Sequence, residues 1–338
     1  MISKIYEKTK KFISLNYKEL IFIFLFVIFM TFPIPYYICV GGGTIDLGKR
    51  LEIEDSYQEK GSFNLAYVSE LKANLPFYLL SFVIPSWERV EIETYQISED
   101  ETIEEITNRD RLYLDDSTQS AIYVAYTKAG KTFEITNHNY FIYFVDERAN
   151  SNIMVGDILL SIDGIEEINT DKLRQYINSK NIGDEVTLKL VRNTKELELK
   201  TPVFEENGDK YVGVACFDIL DYETDPKIEL NFKESESGPS GGFTLALAIY
   251  NKLTKEDITN GKKIVGTGTI DLDGNIGEIG GVKYKLMGAV KKNADIFIVP
   301  NGSNYDECIK LKEEKKYKIE IIGVDNFDDA LEKLSKIK

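Results

Sequence analysis

This 338-residue chain has a serine in a glycine-rich turn, a position in which serine side chains can act as nucleophiles. Residues 237–242 read SGPSGG and precede an apolar segment of helical spacing, which places Ser240 near a helix N-terminus. Backbone N–H groups at such a position stabilise an oxyanion. Pro239 has no N–H, so we expect the donors in Ser240 or its neighbours, with Gly238 and Gly241 shaping the loop. The alternative is that Ser240 is an ordinary helix N-cap.

Two lysines in residues 279–286, which read IGGVKYKL, are candidates for the base that a serine nucleophile needs. The only histidine, His138, lies among polar neighbours and is predicted to be a surface turn residue. Lysine acts as a base only when its amine is neutral, which requires burial to lower its pKa. A lysine on a helix is ordinarily solvated, and apolar periodicity does not distinguish Lys283 from Lys285.

The elements that would position these residues alternate between strand and helix over residues 206–338. Apolar runs predict strands over residues 211–217, 227–232, 264–271, 296–300 and 319–324. Apolar residues at helical spacing predict helices over residues 243–253, 282–291, 306–315 and 327–336. The pattern is typical of a mixed α/β (α+β) fold in which the serine turn lies between a strand and a helix.

The N-terminus has the pattern of a membrane anchor. Five lysines and two glutamates precede an almost uniformly apolar run over residues 20–40, long enough to cross a bilayer. The positive-inside rule predicts a cytoplasmic leader over residues 1–19, a single span over 20–40, and an extracytoplasmic remainder. The alternative is a cleaved signal peptide, but the run exceeds an ordinary signal core and no A-x-A-like site follows it.

The middle of the chain contains a recognisable segment over residues 131–204. Residues 155–164 read VGDILLSIDG, and a helix and a closing hairpin are predicted after them. This arrangement resembles a bacterial PDZ domain, which implies a groove that takes an extended peptide by strand addition. The predicted loop before the first strand, residues 136–140, lacks the usual glycine of a carboxylate-binding loop. Free C-termini and internal segments therefore both remain candidate ligands.

Together, the serine turn, the glycine-rich run over residues 266–281 and the lysine helix resemble the proteolytic domain of Lon peptidases. The resemblance implies Ser240 as nucleophile, Lys285 as general base because it is the fourth residue after the paired glycines, and Thr267 as a partner of the lysine. With the anchor and the PDZ-like segment, the chain resembles the membrane-bound PDZ–Lon peptidases of Gram-positive bacteria. Gly241 stands where the family usually has alanine, and Ser237 stands where its ATP-driven relatives have aspartate.

Composition excludes several other functions. A net charge of −15 argues against a nucleic-acid partner. Three scattered cysteines and one histidine offer neither a disulfide framework nor a metal site, and no cofactor is predicted. Residues 43–50 match GxxxxGK but lack the following Ser or Thr, so we expect a turn rather than an ATP site.

The sequence therefore predicts an ATP-independent serine endopeptidase anchored in the cell membrane, acting on unstructured or exported polypeptides outside it. Residues 41–130 are predicted to be the N-terminal part of the peptidase module, and residues 206–338 the proteolytic domain. The resemblance further implies a homo-oligomer, a hexameric ring. The alternative is an inactive scaffold that only binds peptides.

Overall fold

The computed structural model describes residues 2–166, 170–233 and 235–337. Met1 of the predicted leader, residues 167–169 of the PDZ-like segment, and Glu234 and Lys338 of the last predicted domain lie outside these ranges. The chain forms two compact units. The first comprises the chain up to Gly41 together with Val68–Tyr95, and the second comprises Gly42–Tyr67 together with the chain from Gln96 onward.

The regular elements alternate along most of the chain. The helices are α1 (Ile2–Thr31), α2 (Leu75–Leu80), α3 (Ile103–Lys128), α4 (Thr170–Ser179), α5 (Gly242–Leu253), α6 (Val282–Lys291), α7 (Ser303–Lys315) and α8 (Phe327–Ser335). The strands are β1 (Pro33–Asp46), β2 (Leu51–Ile53), β3 (Ser62–Asn74), β4 (Glu88–Glu91), β5 (Thr132–Val145), β6 (Ile158–Ile162), β7 (Glu185–Arg192), β8 (Lys195–Pro202), β9 (Phe204–Glu206), β10 (Asp209–Tyr211), β11 (Val214–Asp225), β12 (Ile228–Leu230), β13 (Lys263–Gly266), β14 (Thr269–Ile270), β15 (Ile276–Gly277), β16 (Ile296–Pro300) and β17 (Glu320–Val324).

The apolar helix of the first unit ends earlier than the sequence predicts. α1 ends at Thr31, and β1 begins at Pro33, so the helix predicted over residues 20–40 is wrong in its last nine residues. Pro33 and Pro35 lack N–H donors and disfavour helical backbone in the residues before them, which ends the helix. The helix begins earlier than the predicted span, and its residues 4–31 are still long and apolar enough to cross a bilayer. A signal sequence meets the same criteria.

The first unit has an extensive exposed apolar surface. The described apolar side chains of α1 from Ile21 to Met30 are exposed. Asn74 caps α2 by accepting a hydrogen bond from the Phe77 N–H, and its amide donates to the Met30 carbonyl, which ties α1 to α2. Phe82 and Val83, directly after α2, are also exposed.

In the second unit, five antiparallel strands form a sheet in the order β11-β5-β6-β7-β8. Alternate residues of these strands, including Leu159, Leu188 and Leu190, form their own core. One sequence prediction is wrong here. Residues 136–140 lie inside β5, paired with β11, rather than in a loop. β11 joins the same sheet because its twelve residues pair along β5.

The second sheet of this unit is parallel where β3, β13, β16 and β17 lie side by side. Its strands are buried on both faces, and their side chains alternate between two cores. Ile264 and Ile298 face the core that contains α3, α5 and α8, whereas Phe297 and Val299 face the core that contains α6 and α7. The observed α6 and β16 have the predicted bounds, and α5, α7, β17 and α8 differ from prediction by one to three residues.

Candidate active site

The turn that carries Ser240 is held by α3, a helix to which the sequence assigned no function. The Gly238 N–H donates to the Asp110 carbonyl at 2.9 Å. The Ser117 hydroxyl donates to the Pro239 carbonyl at 2.8 Å. Two residues of α3 therefore fix the backbone directly before Ser240. Nothing in the local pattern of α3 indicated this contact, because the two residues precede the serine by more than 120 positions.

The hydrogen bonds of this turn leave two backbone donors available. The Gly242 N–H donates to the Pro239 carbonyl at 3.2 Å, and the Phe243 N–H donates to the Gly268 carbonyl at 3.1 Å. The N–H groups of Ser240 and Gly241 have no partner among the residues that the structure describes. They lie at the N-terminal end of α5, where the helix dipole favours negative charge.

A buried chain of polar contacts joins Lys285 to the serine turn. Lys285 is 4 % exposed, and Thr267 is fully buried. The Lys285 Nζ donates to the Thr267 Oγ1 at 3.1 Å, and that hydroxyl in turn donates to the Ser240 carbonyl at 3.0 Å. The Gly268 N–H donates to the same carbonyl at 2.8 Å. The structure thus brings together the three residues that the sequence named for catalysis.

The neighbouring lysine has a different environment. Lys283 is only partly buried, and its Nζ lies 4.9 Å from the centre of the Tyr284 ring. α6 turns by about 100° per residue, so two positions correspond to about 200°. Lys283 and Lys285 therefore lie on nearly opposite faces of the helix. Val282, Leu286 and Ala289 pack into the core, and Lys285 shares their buried environment.

Close backbone contact fixes the position of α6. A Cβ on Gly42 would lie 2.2 Å from the Tyr284 carbonyl oxygen, and a Cβ on Gly288 would lie 2.7 Å from the Gly43 nitrogen. Only glycine permits β1 and α6 to approach so closely. Gly42 and Gly43, the first glycine of the GxxxxGK-like segment, therefore pack against the lysine helix, while Leu47–Lys49 of this segment form a short 3₁₀ turn capped by Asp46.

The departure from the family alanine at Gly241 has a structural counterpart. A Cβ at this position would lie 2.0 Å from Leu65 Cδ1 and 3.1 Å from Leu65 Cγ. The side chain of Leu65, on β3, occupies the space that a methyl group would need. An alanine at position 241 would therefore require the Leu65 side chain to move.

The other candidate groups of the sequence lie elsewhere. His138 is in β5, not in a turn, and its exposed ring contacts Asp218 through Nδ1. Burial raises the pKa of the Cys216 and Cys308 thiols to about 12, which makes both poor nucleophiles. Within the described ranges, no group of three or more His, Cys, Asp or Glu side chains is arranged to hold a metal ion.

Comparison with known families agrees with this architecture. Residues 233–336 match the C-terminal proteolytic domain of Lon protease (S16), and residues 130–203 match the PDZ domain. Each match covers less than a third of the chain, and the two together leave α3 outside any matched family.

Several curated relatives are Lon proteases. The Lon protease of Campylobacter concisus is 31% identical over 149 residues, covering 43% of this chain and 18% of that protein. The Lon protease of Campylobacter jejuni is 36% identical over 98 residues, covering 29% and 12%, and that of Clostridioides difficile is 35% identical over 97 residues, with the same shares. The chain thus spans less than a fifth of the length of these relatives.

Solved structures match the other segment. The PDZ domain of an SdrC-like protein from Listeria monocytogenes is 20% identical, with a TM-score of 0.23, and covers 25% of this chain and 92% of that one. By the family models, the chain contains two successive segments, residues 130–203 and 233–336, that match the PDZ domain and the C-terminal proteolytic domain of Lon protease (S16).

Proposed function

We propose that this protein is a membrane-anchored, ATP-independent serine endopeptidase with a Ser240–Lys285 dyad, cleaving unstructured or exported polypeptides outside the membrane. The observation that carries the proposal is the buried contact chain from the Lys285 amine through the Thr267 hydroxyl to the backbone of Ser240. A lysine buried to this extent is costly in its charged form, so burial lowers its pKa toward the range in which it serves as a base.

The reaction follows from these positions. Neutral Lys285 accepts the hydroxyl proton of Ser240 as the Oγ bonds to the carbonyl carbon of the substrate. The C–N bond then breaks, and the Lys285 ammonium gives its proton to the leaving amine. Water, deprotonated by Lys285, attacks the resulting acyl-enzyme, releases the new carboxyl terminus and restores the Ser240 hydroxyl.

The backbone N–H groups of Ser240 and Gly241 are the proposed oxyanion donors. The N–H groups of Gly238, Gly242 and Phe243 are already committed to protein carbonyls. Donors fixed before the reaction need no reorganisation when the oxyanion forms, and each is worth about 10²–10³-fold in kcat. By holding the Pro239 carbonyl, Ser117 keeps this peptide segment in place.

Thr267→Val is expected to lower kcat about 100-fold and to leave KM within about twofold. Valine has nearly the same shape, but it removes the acceptor of the Lys285 Nζ and the donor to the Ser240 carbonyl. Thr267→Ser keeps the hydroxyl and should retain most of the activity. Steady-state kinetics on one peptide checks this, and equal rates for the Thr267→Val and wild-type chains would exclude a role for Thr267.

The membrane part of the proposal rests on the first unit. α1 is long and apolar enough to span a bilayer, and the lysines of the leader precede its apolar part. Exposed Leu79, Phe82 and Val83 suit a bilayer surface better than water. Protease treatment of intact cells should remove a C-terminal epitope and leave an N-terminal one. Protection of the C-terminal epitope would reverse the proposed orientation.

The PDZ domain is proposed to take an extended peptide along β11 rather than β5. β5 is paired along its length with β11, whereas β11 lies at the edge of the sheet. The turn before β11 includes Gly213, whose backbone has φ +75°. Ala149 occupies the space that a side chain at this position would need. On the outer edge of β11, the Gln119 amide accepts a hydrogen bond from the Leu220 N–H and donates one to the Asp218 carbonyl. These bonds leave only the start of β11 open to strand addition.

The alternative is an inactive scaffold that binds peptides without cutting them. The full-length chain, purified in detergent, separates the two when incubated with casein in the absence of nucleotide. The peptidase proposal predicts casein fragments at a rate that ATP does not change, and loss of fragments after labelling of Ser240 by a fluorophosphonate. Intact casein at high enzyme concentration would favour the scaffold.

A further inference from the structure

A cavity of about 550 Å³ lies beside the serine turn, between α3 and the β14–β15 hairpin. Its walls include Asp116, Ser117 and Ser120 of α3, Pro239 of the serine turn, and Asp271 and Asp273 of the hairpin. Pro239 directly precedes Ser240. A polypeptide whose scissile bond lies at Ser240 would therefore bring a neighbouring side chain to this cavity.

The cavity is negatively charged. Three of its lining residues are carboxylates, and the described lining residues include no lysine, arginine or histidine. The carboxylate of Asp271 already has partners in its own hairpin: it accepts hydrogen bonds from the N–H groups of Asp273 and Asn275 and from the Asn275 side-chain amide. Asp271 and Asp273 are exposed and lie at the rim. The wall formed by α3 thus carries the remaining carboxylate, Asp116.

Asp116 lacks a cationic partner. In the ranges described by the structure, its side chain accepts a hydrogen bond only from the Gln119 Nε2, at 3.2 Å, and no salt bridge reaches it. Burial raises the pKa of this carboxyl group, and the nearby charge of Asp218 adds to the effect. A carboxylate in this position would gain from a bound cation.

A second polar group on the same wall is also without a protein partner. Ser120 is 4 % exposed and lines the cavity one helical turn after Asp116, and its hydroxyl makes no hydrogen bond to any described residue. Ser117, in contrast, uses its hydroxyl on the Pro239 carbonyl. Buried hydroxyl groups are nearly always hydrogen-bonded in folded proteins. Ser120 therefore points to a ligand with a donor or acceptor at this depth.

We propose that this cavity binds a lysine or arginine side chain of the substrate next to the scissile bond. The proposal rests on the peptidase function proposed above. Asp116 pairs with the cation, and Ser120 accepts a further hydrogen bond from it. An acidic side chain is rejected by repulsion from Asp116, and an apolar one leaves both polar groups unpartnered. α3 thereby determines specificity as well as the position of the serine turn.

The test uses the full-length chain and a set of peptides that differ only at the residues flanking the cleaved bond. We expect kcat/KM for Lys or Arg at one flanking position to exceed that for Leu by about tenfold or more. Asp116→Asn should remove this preference, and Asp116→Lys should favour Glu instead. Asp115→Asn is the matched control, since it is the adjacent aspartate but does not line the cavity. A wild-type preference for uncharged residues at every flanking position, or an unchanged preference in Asp116→Asn, overturns the proposal.

Binding separates this proposal from the peptidase function. Fluorescence anisotropy of the Ser240→Ala chain with labelled Lys-containing and Glu-containing peptides requires no cleavage. If no peptide is cut but the Lys peptide binds more tightly in an Asp116-dependent way, the cavity proposal stands and the peptidase proposal fails. If peptides are cut without a basic preference, the cavity proposal fails and the peptidase proposal stands. A chain that neither cuts nor binds the Lys peptide overturns the cavity proposal.

Discussion

Lys285→Met is expected to lower kcat/KM for peptide cleavage at least about 10³-fold, with little change in the folded structure. Methionine is uncharged, of similar length and well suited to a buried position. It removes the amine that donates to Thr267 Oγ1 and that acts as the general base in the proposed reaction. Because Lys285 is 4 % exposed, the substitution also removes the cost of burying an amine, and thermal stability should not fall.

Lys283→Met is the matched control, because Lys283 lies on the same helix two residues away. Its amine lies over the Tyr284 ring and is partly exposed. We expect its kcat/KM to stay within about threefold of wild type, since an exposed cation contributes little. Full loss of activity in Lys283→Met with activity retained in Lys285→Met would reverse the assignment of the base.

Ser240→Ala is expected to abolish cleavage and leave peptide binding intact. Alanine removes the Oγ that forms the acyl-enzyme. It keeps the backbone carbonyl of residue 240, which accepts hydrogen bonds from the Thr267 hydroxyl and the Gly268 N–H. Groups that act as one unit have non-additive effects. The double variant with Lys285→Met should therefore be no slower than Ser240→Ala alone.

The double variant is measured with the two single variants under the same conditions, and peptide binding is followed by anisotropy. Effects that multiply instead of saturating would mean that the two side chains act in separate steps. Residual cleavage by Ser240→Ala above that of a buffer control would mean that another nucleophile carries the reaction.

The sequence predicted the helices and strands of the parallel sheet well, because their apolar patterns are strong and local. α6 and β16 have the predicted bounds. The strand predicted over residues 264–271 is divided into β13 and β14, because Gly268 adopts φ +149°. Pattern alone did not distinguish Lys283 from Lys285. The distinction comes from the contact with Thr267, on a loop of the sheet.

Features that depend on distant contacts were not predictable from local pattern. The prolines after α1 were interpreted as the end of a longer helix, whereas they start β1. The strand predicted over residues 211–217 continues to Asp225 in β11, because it pairs along β5. The hydrogen bonds of α3 to the serine turn join residues that are far apart in sequence. Leu65 and Gly241, which lie side by side, are also far apart in sequence.

α3 supports several parts of the candidate active site. The helix begins with a capping box formed by Thr102 and Glu105, and a buried ion pair joins Arg109 to Glu101, which directly precedes the N-cap. Its middle holds the serine turn and lines the cavity, and its end packs against α5. The same rigid element therefore supports the nucleophile and the proposed specificity site.

The pH dependence of Ser240 labelling by a fluorophosphonate tests the central claim, that a neutral Lys285 amine activates Ser240. Burial lowers the pKa of a lysine, so the base is active above that lowered pKa and is lost as the pH falls through it. The account predicts a labelling rate that rises to a plateau with a midpoint well below about 10.4, the ordinary lysine value, and a slow rate without this midpoint in Lys285→Met. The same curve in wild type and Lys285→Met would contradict it.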